Sequence, residues 1–194
     1  MQMALDERDG WSDDDLLALY ARGDPVAARR LTHRFTPLAL RVAQRMLADA
    51  AEAEDVAQEA MLRLWRMAPG WQPGQAKVTT WLYRVVANLC TDRLRRRRTV
   101  PLDAAPEPED GDPGVAARMI AADRAAALEQ ALAALPERQR QAVILRHLEG
   151  LANPEIAEVM EVGVEAVESL VARGKRGLAA ALSGRRDELG FDDG

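Results

Sequence analysis

The sequence is poor in the residues that build disulfides, zinc sites and membrane anchors. It has one cysteine, Cys90, and two histidines, His33 and His147. A single cysteine excludes an internal disulfide and fits a reducing cytoplasm, and so few ligands argue strongly against a Cys/His zinc site. No run approaches the roughly eighteen apolar residues of a membrane span, and the acidic start of the chain is unlike a signal peptide.

Strand-like alternation of apolar and polar residues is also missing, whereas helical spacing recurs along the chain. The 194 residues are 48% hydrophobic and 29% charged, which is typical of a globular protein with one or two domains. We therefore predict an all-α protein with two small helical domains joined by an acidic, proline-rich linker.

Capping residues and apolar stripes predict four helices in the first domain. Residues 12–15, Ser-Asp-Asp-Asp, form a capping pattern, and Asp24-Pro25 is a cap followed by proline in the first turn. A third helix is predicted over 52–67, and its inward residues are predicted to be Val56, Met61, Leu62 and Trp65. Thr79 or Thr80 is predicted to cap a fourth helix, whose apolar stripe comprises Leu82, Val85, Val86, Leu89, Cys90 and Leu94.

Positive charge is concentrated in one segment of an acidic chain. The net charge is −5, yet residues 61–98 contain nine basic residues and one acidic residue. Trp71, Trp81 and Tyr83 lie in or beside the loop that precedes the basic helix. Positive charge beside aromatic rings is typical of a surface that binds an unpaired nucleic-acid strand. The alternative is a solvated amphipathic helix, and Trp65 and Trp81 fit packing in the core equally well.

A change of composition separates the second domain. Residues 99–114 contain four prolines, two glycines and five acidic residues but no basic residue, which predicts a flexible linker. Further on, Asn153-Pro154-Glu155 is a cap followed by proline in the first turn of a short helix, and a turn over 161–164 and a longer helix over 165–182 follow. This pattern predicts a helix-turn-helix. Its last helix is predicted to present Glu165, Glu168, Ser169, Arg173, Lys175 and Arg176.

No group of residues supports catalysis. Cys90 falls on an apolar stripe, Glu107 and Glu109 lie in the linker, and no phosphate-binding glycine pattern is present. We expect no enzymatic activity, no cofactor and no metal.

Three segments resemble the bacterial extracytoplasmic-function sigma factors, the small two-domain initiation subunits of RNA polymerase. Residues 53–65, AEDVAQEAMLRLW, are similar to the polymerase-binding helix of sigma domain 2. Residues 80–96, TWLYRVVANLCTDRLRR, are similar to the helix of that domain that reads the minus-10 element. LPERQR at 135–140, with EGL and EIA further on, is similar to sigma domain 4.

The resemblance implies a division of the chain and a role for each surface. Domain 2 would occupy 1–98, a flexible acidic linker 99–125, domain 4 126–182 and a disordered tail 183–194. The clamp of the largest polymerase subunit would bind Asp55, Gln58, Glu59, Leu62 and Arg63. The loop 72–78 would capture a flipped base of the minus-10 element, and the opened strand would contact Lys77, Trp81, Arg84, Asn88, Arg93, Arg95 and Arg96.

In the second domain the resemblance implies binding to the flap of the second-largest subunit and to the minus-35 element. The DNA contacts would be Glu165, Ser169, Arg173, Lys175 and Arg176. The sequence departs from the family here: Glu161 stands where the turn often has glycine and costs roughly 1 kcal/mol if its backbone is left-handed. Gly163 stands where serine often caps the helix, and Glu168 and Leu170 replace residues that are often Lys and Arg.

These departures keep a second hypothesis open, a sigma-like interaction module or decoy without productive promoter binding. The resemblance implies, in addition, regulation by an anti-sigma factor, a cytoplasmic location and no direct membrane contact.

Overall fold

The computed structural model describes residues 10–74, 76–99 and 116–183. Over these residues the chain is helical and has no strand, which confirms the all-α prediction. The helices are α1 (Asp13–Ala21), α2 (Pro25–Leu47), α3 (Ala50–Met67), α4 (Val78–Thr99), α5 (Ala116–Ala133), α6 (Glu137–Val143), α7 (Asn153–Met160) and α8 (Val164–Ser183). A 3₁₀ turn (Ala68–Gly70) follows α3, and a π-helical segment (Ile144–Leu148) extends α6.

Two predicted helix caps are confirmed. The hydroxyl of Ser12 accepts from the backbone N–H of Asp15, whose carboxylate accepts in return from the backbone N–H of Ser12, so α1 starts with a capping box. At α2, Oδ1 of Asp24 accepts from the backbone N–H of Val26 at 2.7 Å. These bonds satisfy N–H groups that a helix start leaves without partners.

Two other predicted caps are wrong. The helix α4 begins at Val78, so Thr79 and Thr80 lie inside its first turn. The carbonyl of Lys77 accepts from the backbone N–H of Trp81 at 3.1 Å, so helical bonding begins before either threonine. The helix α7 begins at Asn153, and its cap is Ala152, whose backbone N–H donates to the Glu155 carboxylate at 3.0 Å.

The described residues form two compact units. Parts of Met1–Gln44 and Asp49–Leu89 form the first, and parts of Arg45–Ala48 and Cys90–Gly194 form the second. The division falls within α4 and differs from the predicted domain boundary at 98. Within the second unit, Nη1 of Arg97 donates to the carbonyl of Leu47 at 3.3 Å, which ties the end of α4 to the end of α2.

The core of the first unit is built from one apolar face of each helix. The side chains that are fully buried include Leu16 and Leu17 of α1, Leu31, Phe35 and Val42 of α2, Val56 and Leu64 of α3, and Leu82 and Val86 of α4. Burial of these side chains contributes about 1.5–3 kcal/mol each in transfer free energy. This core holds the outer faces of α3 and α4 in fixed orientations.

The second unit packs α5, α6 and α7 against α8. Its buried side chains include Leu132, Ile144, Leu145, Ile156 and Val167. The buried guanidinium of Arg140 donates to the carbonyl of Ala133, which the end of α5 leaves without a helical partner, and to the carbonyl of Leu135 just beyond it. The last helix approaches closely at Gly174, where an added Cβ would lie 2.5 Å from Cγ2 of Val143.

The predicted linker lies mostly outside the described residues. Its residues 100–115 are not described, and residues 116–125 form the first part of α5. The predicted tail also lies outside them, except Ser183, which ends α8.

Candidate functional site

The outer face of α3 presents polar side chains and one exposed leucine. Six buried residues fix the inner face of the helix: Ala53, Val56, Ala57, Ala60, Met61 and Leu64. Because side chains three and four positions apart share a helix face, the remaining positions form the opposite face. It comprises the exposed Asp55, Gln58, Leu62 and Arg63 and the half-buried Glu59, which together we call the α3 surface.

An ion pair crosses this surface. Nε of Arg63 donates to Oε1 of Glu59 at 2.8 Å, one helical turn apart. This hydrogen bond lowers the pKa of the Glu59 carboxyl, so the group is anionic at neutral pH. A charge pair beside an apolar side chain is suited to docking against another protein.

Of the predictions that Leu62 and Trp65 point inward, only the one for Leu62 is wrong. Leu62 is 48% exposed, because Met61 and Leu64 occupy the inward positions and leave it pointing outward. Trp65 is half-buried, and its ring centroid lies 4.5 Å from that of Tyr20. Trp65 therefore packs α3 against α1, whereas Leu62 is available to a partner.

An exposed loop joins α3 to α4. Gln72, Pro73, Gly74, Ala76 and Lys77 are exposed, and Gly74 adopts a positive φ of 82° that glycine accommodates without strain. Trp71 precedes this stretch and is half-buried, and its indole Nε1 donates to Oδ1 of Asp14 at 2.7 Å. The loop thus starts from a residue fixed to α1.

One edge of α4 continues from this loop. Lys77, Trp81, Arg84 and Asn88 follow one another at helical spacing and share this edge. Lys77 and Asn88 are exposed, and Trp81 and Arg84 are half-buried. We call these four residues the α4 edge. It combines an aromatic ring, two cationic side chains and an amide, the groups that hold bases and phosphates of an unpaired strand.

Tyr83 does not belong to this edge. Only 7% of it is exposed, because it lies on the inner face with Leu82 and Val86. The prediction that it flanks a stacking surface is therefore wrong. Cys90 is fully buried, as its place on the apolar stripe predicts.

The basic end of α4 lies in the second unit. Arg95 and Arg96 are exposed, and Arg93 is half-buried. Arg95 pairs with Asp92 at 3.0 Å, with 74% and 51% of the two side chains exposed. An ion pair this exposed contributes little free energy, so polyanion binding can replace it at small cost.

The helix-turn-helix prediction matches α7 and α8. Between them Glu161 adopts φ 54° and ψ 49°, the left-handed conformation in which a glycine is favoured. On α8, Glu165, Glu168, Arg173, Lys175 and Arg176 are exposed, and Ser169 and Leu170 are half-buried. Nη2 of Arg173 donates to the hydroxyl of Ser169 at 2.8 Å.

Two features of these surfaces escaped the sequence analysis. The bond between Asp14 and Trp71 joins residues 57 positions apart, and no local pattern encodes it. Val164, at the start of α8, is 40% exposed, and nothing in the sequence around this apolar residue indicated that it would face solvent.

Within the described ranges, no group of three or more His, Cys, Asp or Glu side chains is arranged to hold a metal ion. None of the helices over those ranges combines the length and the hydropathy that crossing a membrane requires.

Comparison with known proteins agrees with this arrangement. Residues 31–100 match the model of sigma-70 region 2, and residues 125–178 match that of sigma-70 region 4. The extracytoplasmic-function sigma factor SigM of Mycobacterium tuberculosis is 36% identical over 171 residues, covering 88% of this chain and 85% of the relative. The sigma-H factor of Pseudomonas aeruginosa is 32% identical over 181 residues, covering 88% and 93%.

Solved structures share the fold. CnrH, in complex with the cytosolic domain of CnrY, matches with a TM-score of 0.68 and 24% identity over 89% of this chain and 97% of that one. RpoE, in complex with the anti-sigma factor NepR from Bartonella quintana, matches with a TM-score of 0.62 and 18% identity over 80% and 96%.

Two sigma regions in this order define a subunit that directs transcription initiation. The chain belongs to the extracytoplasmic-function group of the sigma-70 family and is an alternative sigma factor.

Proposed function

We propose that the α3 surface binds the clamp of the largest subunit of core RNA polymerase, while the loop 72–78 and the α4 edge hold the opened non-template strand of the minus-10 element. The observation that carries this proposal is the division of polar groups between two outer faces of one unit. Two acids, an arginine paired with one of them and an exposed leucine lie on α3, whereas Lys77, Trp81 and Arg84 lie at the start of α4. Polyanion binding and protein docking thus use separate surfaces.

Physical magnitudes favour strand capture by the α4 edge. Flipping a base out of a duplex costs a few kcal/mol in unstacking. Stacking on an aromatic ring returns about 1–3 kcal/mol per base, and cationic side chains hold the adjacent phosphates. Trp81 and Arg84 lie one turn apart on this edge and supply both kinds of contact.

The second unit is proposed to bind the flap of the second-largest subunit and to place α8 in the major groove of the minus-35 element. Arg173, Lys175 and Arg176 would bind phosphates. Glu165, exposed near the start of α8, would accept from a cytosine amino group at a base edge. The proposed domains follow the resemblance, except that residues 116–125 belong to α5, and the acidic linker before α5 is proposed to pass along the RNA exit path.

Run-off transcription with core polymerase tests this function. Trp81→Ala and Arg84→Ala are expected to lose promoter opening and keep core binding, and Trp81→Phe is expected to retain part of the activity. Arg29→Ala, an exposed arginine on α2 outside these surfaces, is the matched charge control. The absence of any promoter-dependent product from the wild-type chain would contradict the proposal.

A decoy or adaptor that binds polymerase without productive promoter contact is the second candidate. Two exposed carboxylates, Glu165 and Glu168, on the first turns of α8 favour it, because they repel phosphates. Normal core binding with no effect of Trp81→Ala or Arg84→Ala on any DNA readout would support this candidate.

We also propose that an anti-sigma factor regulates the protein by covering the α3 surface. The similar fold of RpoE occurs in a complex with such a factor, which motivates the proposal. The protein would act beside polymerase in the cytoplasm, without membrane contact, cofactor, metal or reaction of its own. Competition between the partner and core polymerase for the sigma factor tests this, and simultaneous binding of both would contradict it.

A further inference from the structure

The three consecutive acids at the start of α1 have three different partners. Asp13 pairs with Arg34 of α2, and Asp15 accepts from the N-cap residue of its own helix. Asp14 accepts from the indole N–H of Trp71 at 2.7 Å. The second of the three acids thus connects α1 to the start of the loop between α3 and α4.

The helix that carries Asp14 is well anchored. Leu16 and Leu17 of α1 are fully buried, and Tyr20 contacts Trp65. The helix also packs against the 3₁₀ turn that ends at Gly70, immediately before Trp71. A carboxylate held on this helix is therefore a fixed point for the indole.

Both ends of the exposed loop are fixed to the first unit. Trp71 is held by Asp14, and Val78 is buried at the start of α4. Between these two residues lies the exposed part of the loop, which includes Gly74 with its positive φ. Ordering a backbone costs about 1–2 kcal/mol per residue, so fixing an end of the loop in advance reduces what strand capture must supply.

We propose that Asp14 is a positioning residue for promoter opening: by holding Trp71 it fixes the loop 72–78 where it meets the melted strand. This inference rests on the proposed function of that loop. The role assigned to Asp14 involves no contact with DNA. It acts through a hydrogen bond between an ionised carboxylate and an N–H donor, which is stronger than a bond between neutral groups.

The experiment uses the full chain assembled with core polymerase and a promoter carrying 2-aminopurine at the flipped minus-10 position. Asp14→Ala and Trp71→Phe each remove one partner of the bond, and Asp14→Asn keeps an acceptor oxygen. Asp13→Ala, which removes the neighbouring acid and its pair with Arg34, is the matched control. Core affinity is measured in parallel by competition, and folding by circular dichroism.

We expect Asp14→Ala and Trp71→Phe to lower open-complex formation about tenfold each. Their double variant should be no worse than either alone, since both remove the same bond. Asp14→Asn should recover part of the loss, Asp13→Ala should open the promoter normally, and core affinity should change less than about twofold in all of them.

The outcomes separate this inference from the function on which it rests. Normal opening by Asp14→Ala, together with failure of Trp81→Ala, would overturn the role of Asp14 and leave strand capture intact. Normal opening by both would overturn the proposed function as well. Equal losses of core binding and opening, or additive losses in the double variant, would mean that Asp14 only supports the fold.

Discussion

The backbone N–H of Glu161 donates to the carbonyl of Ala157 while Glu161 itself is left-handed, with φ 54° and ψ 49°. The turn between the two helices of the helix-turn-helix therefore depends on a conformation that a Cβ atom disfavours. The sequence alone predicted a cost in stability at Glu161 if its backbone is left-handed, and the structure shows that it is.

Glu161→Gly is expected to raise the free energy of unfolding relative to Glu161→Ala by about 1 kcal/mol. Both variants lose the same side chain, so their difference isolates the backbone strain. Denaturant titration of the two proteins under identical conditions measures it. Equal stability of the two variants would show that the turn is not strained by a side chain.

Local sequence patterns predicted much of the fold. Ser12 and Asp24 cap their helices because the oxygen of a short polar side chain can accept from the N–H groups that the first turn leaves without partners. The same reasoning failed at Thr79 and Thr80, because helical bonding already begins from the carbonyl of Lys77.

The candidate surfaces were predictable only as helix faces. Polar spacing located the α3 surface, yet the exposure of Leu62 depends on the exact phase of the helix against its core. The contact between Asp14 and Trp71 depends on how α1 packs, so a single sequence holds no local sign of it. The sequence did not predict this contact because its two residues lie far apart along the chain, although the residue types themselves are suited to a hydrogen bond.

Arg63→Ala is expected to raise the pKa of Glu59 toward its ordinary value, because the hydrogen bond from Arg63 is the main cause of its lowering. A carboxyl with a lowered pKa stabilises the fold above its ordinary pKa, and that stabilisation is lost as the pH falls through the lowered value. Carboxyl-detected NMR titration of Glu59 measures the change. An unaltered titration in Arg63→Ala would contradict the pairing, and Arg63→Lys should keep part of the effect.

Gly174→Ala is expected to destabilise the second unit by about 1–3 kcal/mol through overpacking. The added Cβ would lie 2.5 Å from Cγ2 of Val143 and 3.1 Å from the carbonyl oxygen of Gln139, and backbone cannot move aside cheaply. Gly177→Ala is the matched control, since its Cβ would meet only Cδ2 of Leu135, the flexible end of a side chain. Thermal unfolding compares the two, and equal melting temperatures would contradict the close approach.

Leu62→Ala is expected to weaken binding to core polymerase by about 5- to 30-fold, the loss typical of a central apolar contact in an interface. The stability of the free protein should fall by no more than about 1 kcal/mol, because 48% of this residue is already exposed. Arg29→Ala, which trims an exposed side chain of α2 outside the proposed surfaces, is the control and should bind the core normally. Competition binding against a labelled sigma factor gives both affinities. If Leu62→Ala and Arg29→Ala bind alike, the exposed leucine on α3 does not contact the polymerase, and the docking surface must lie elsewhere on the chain.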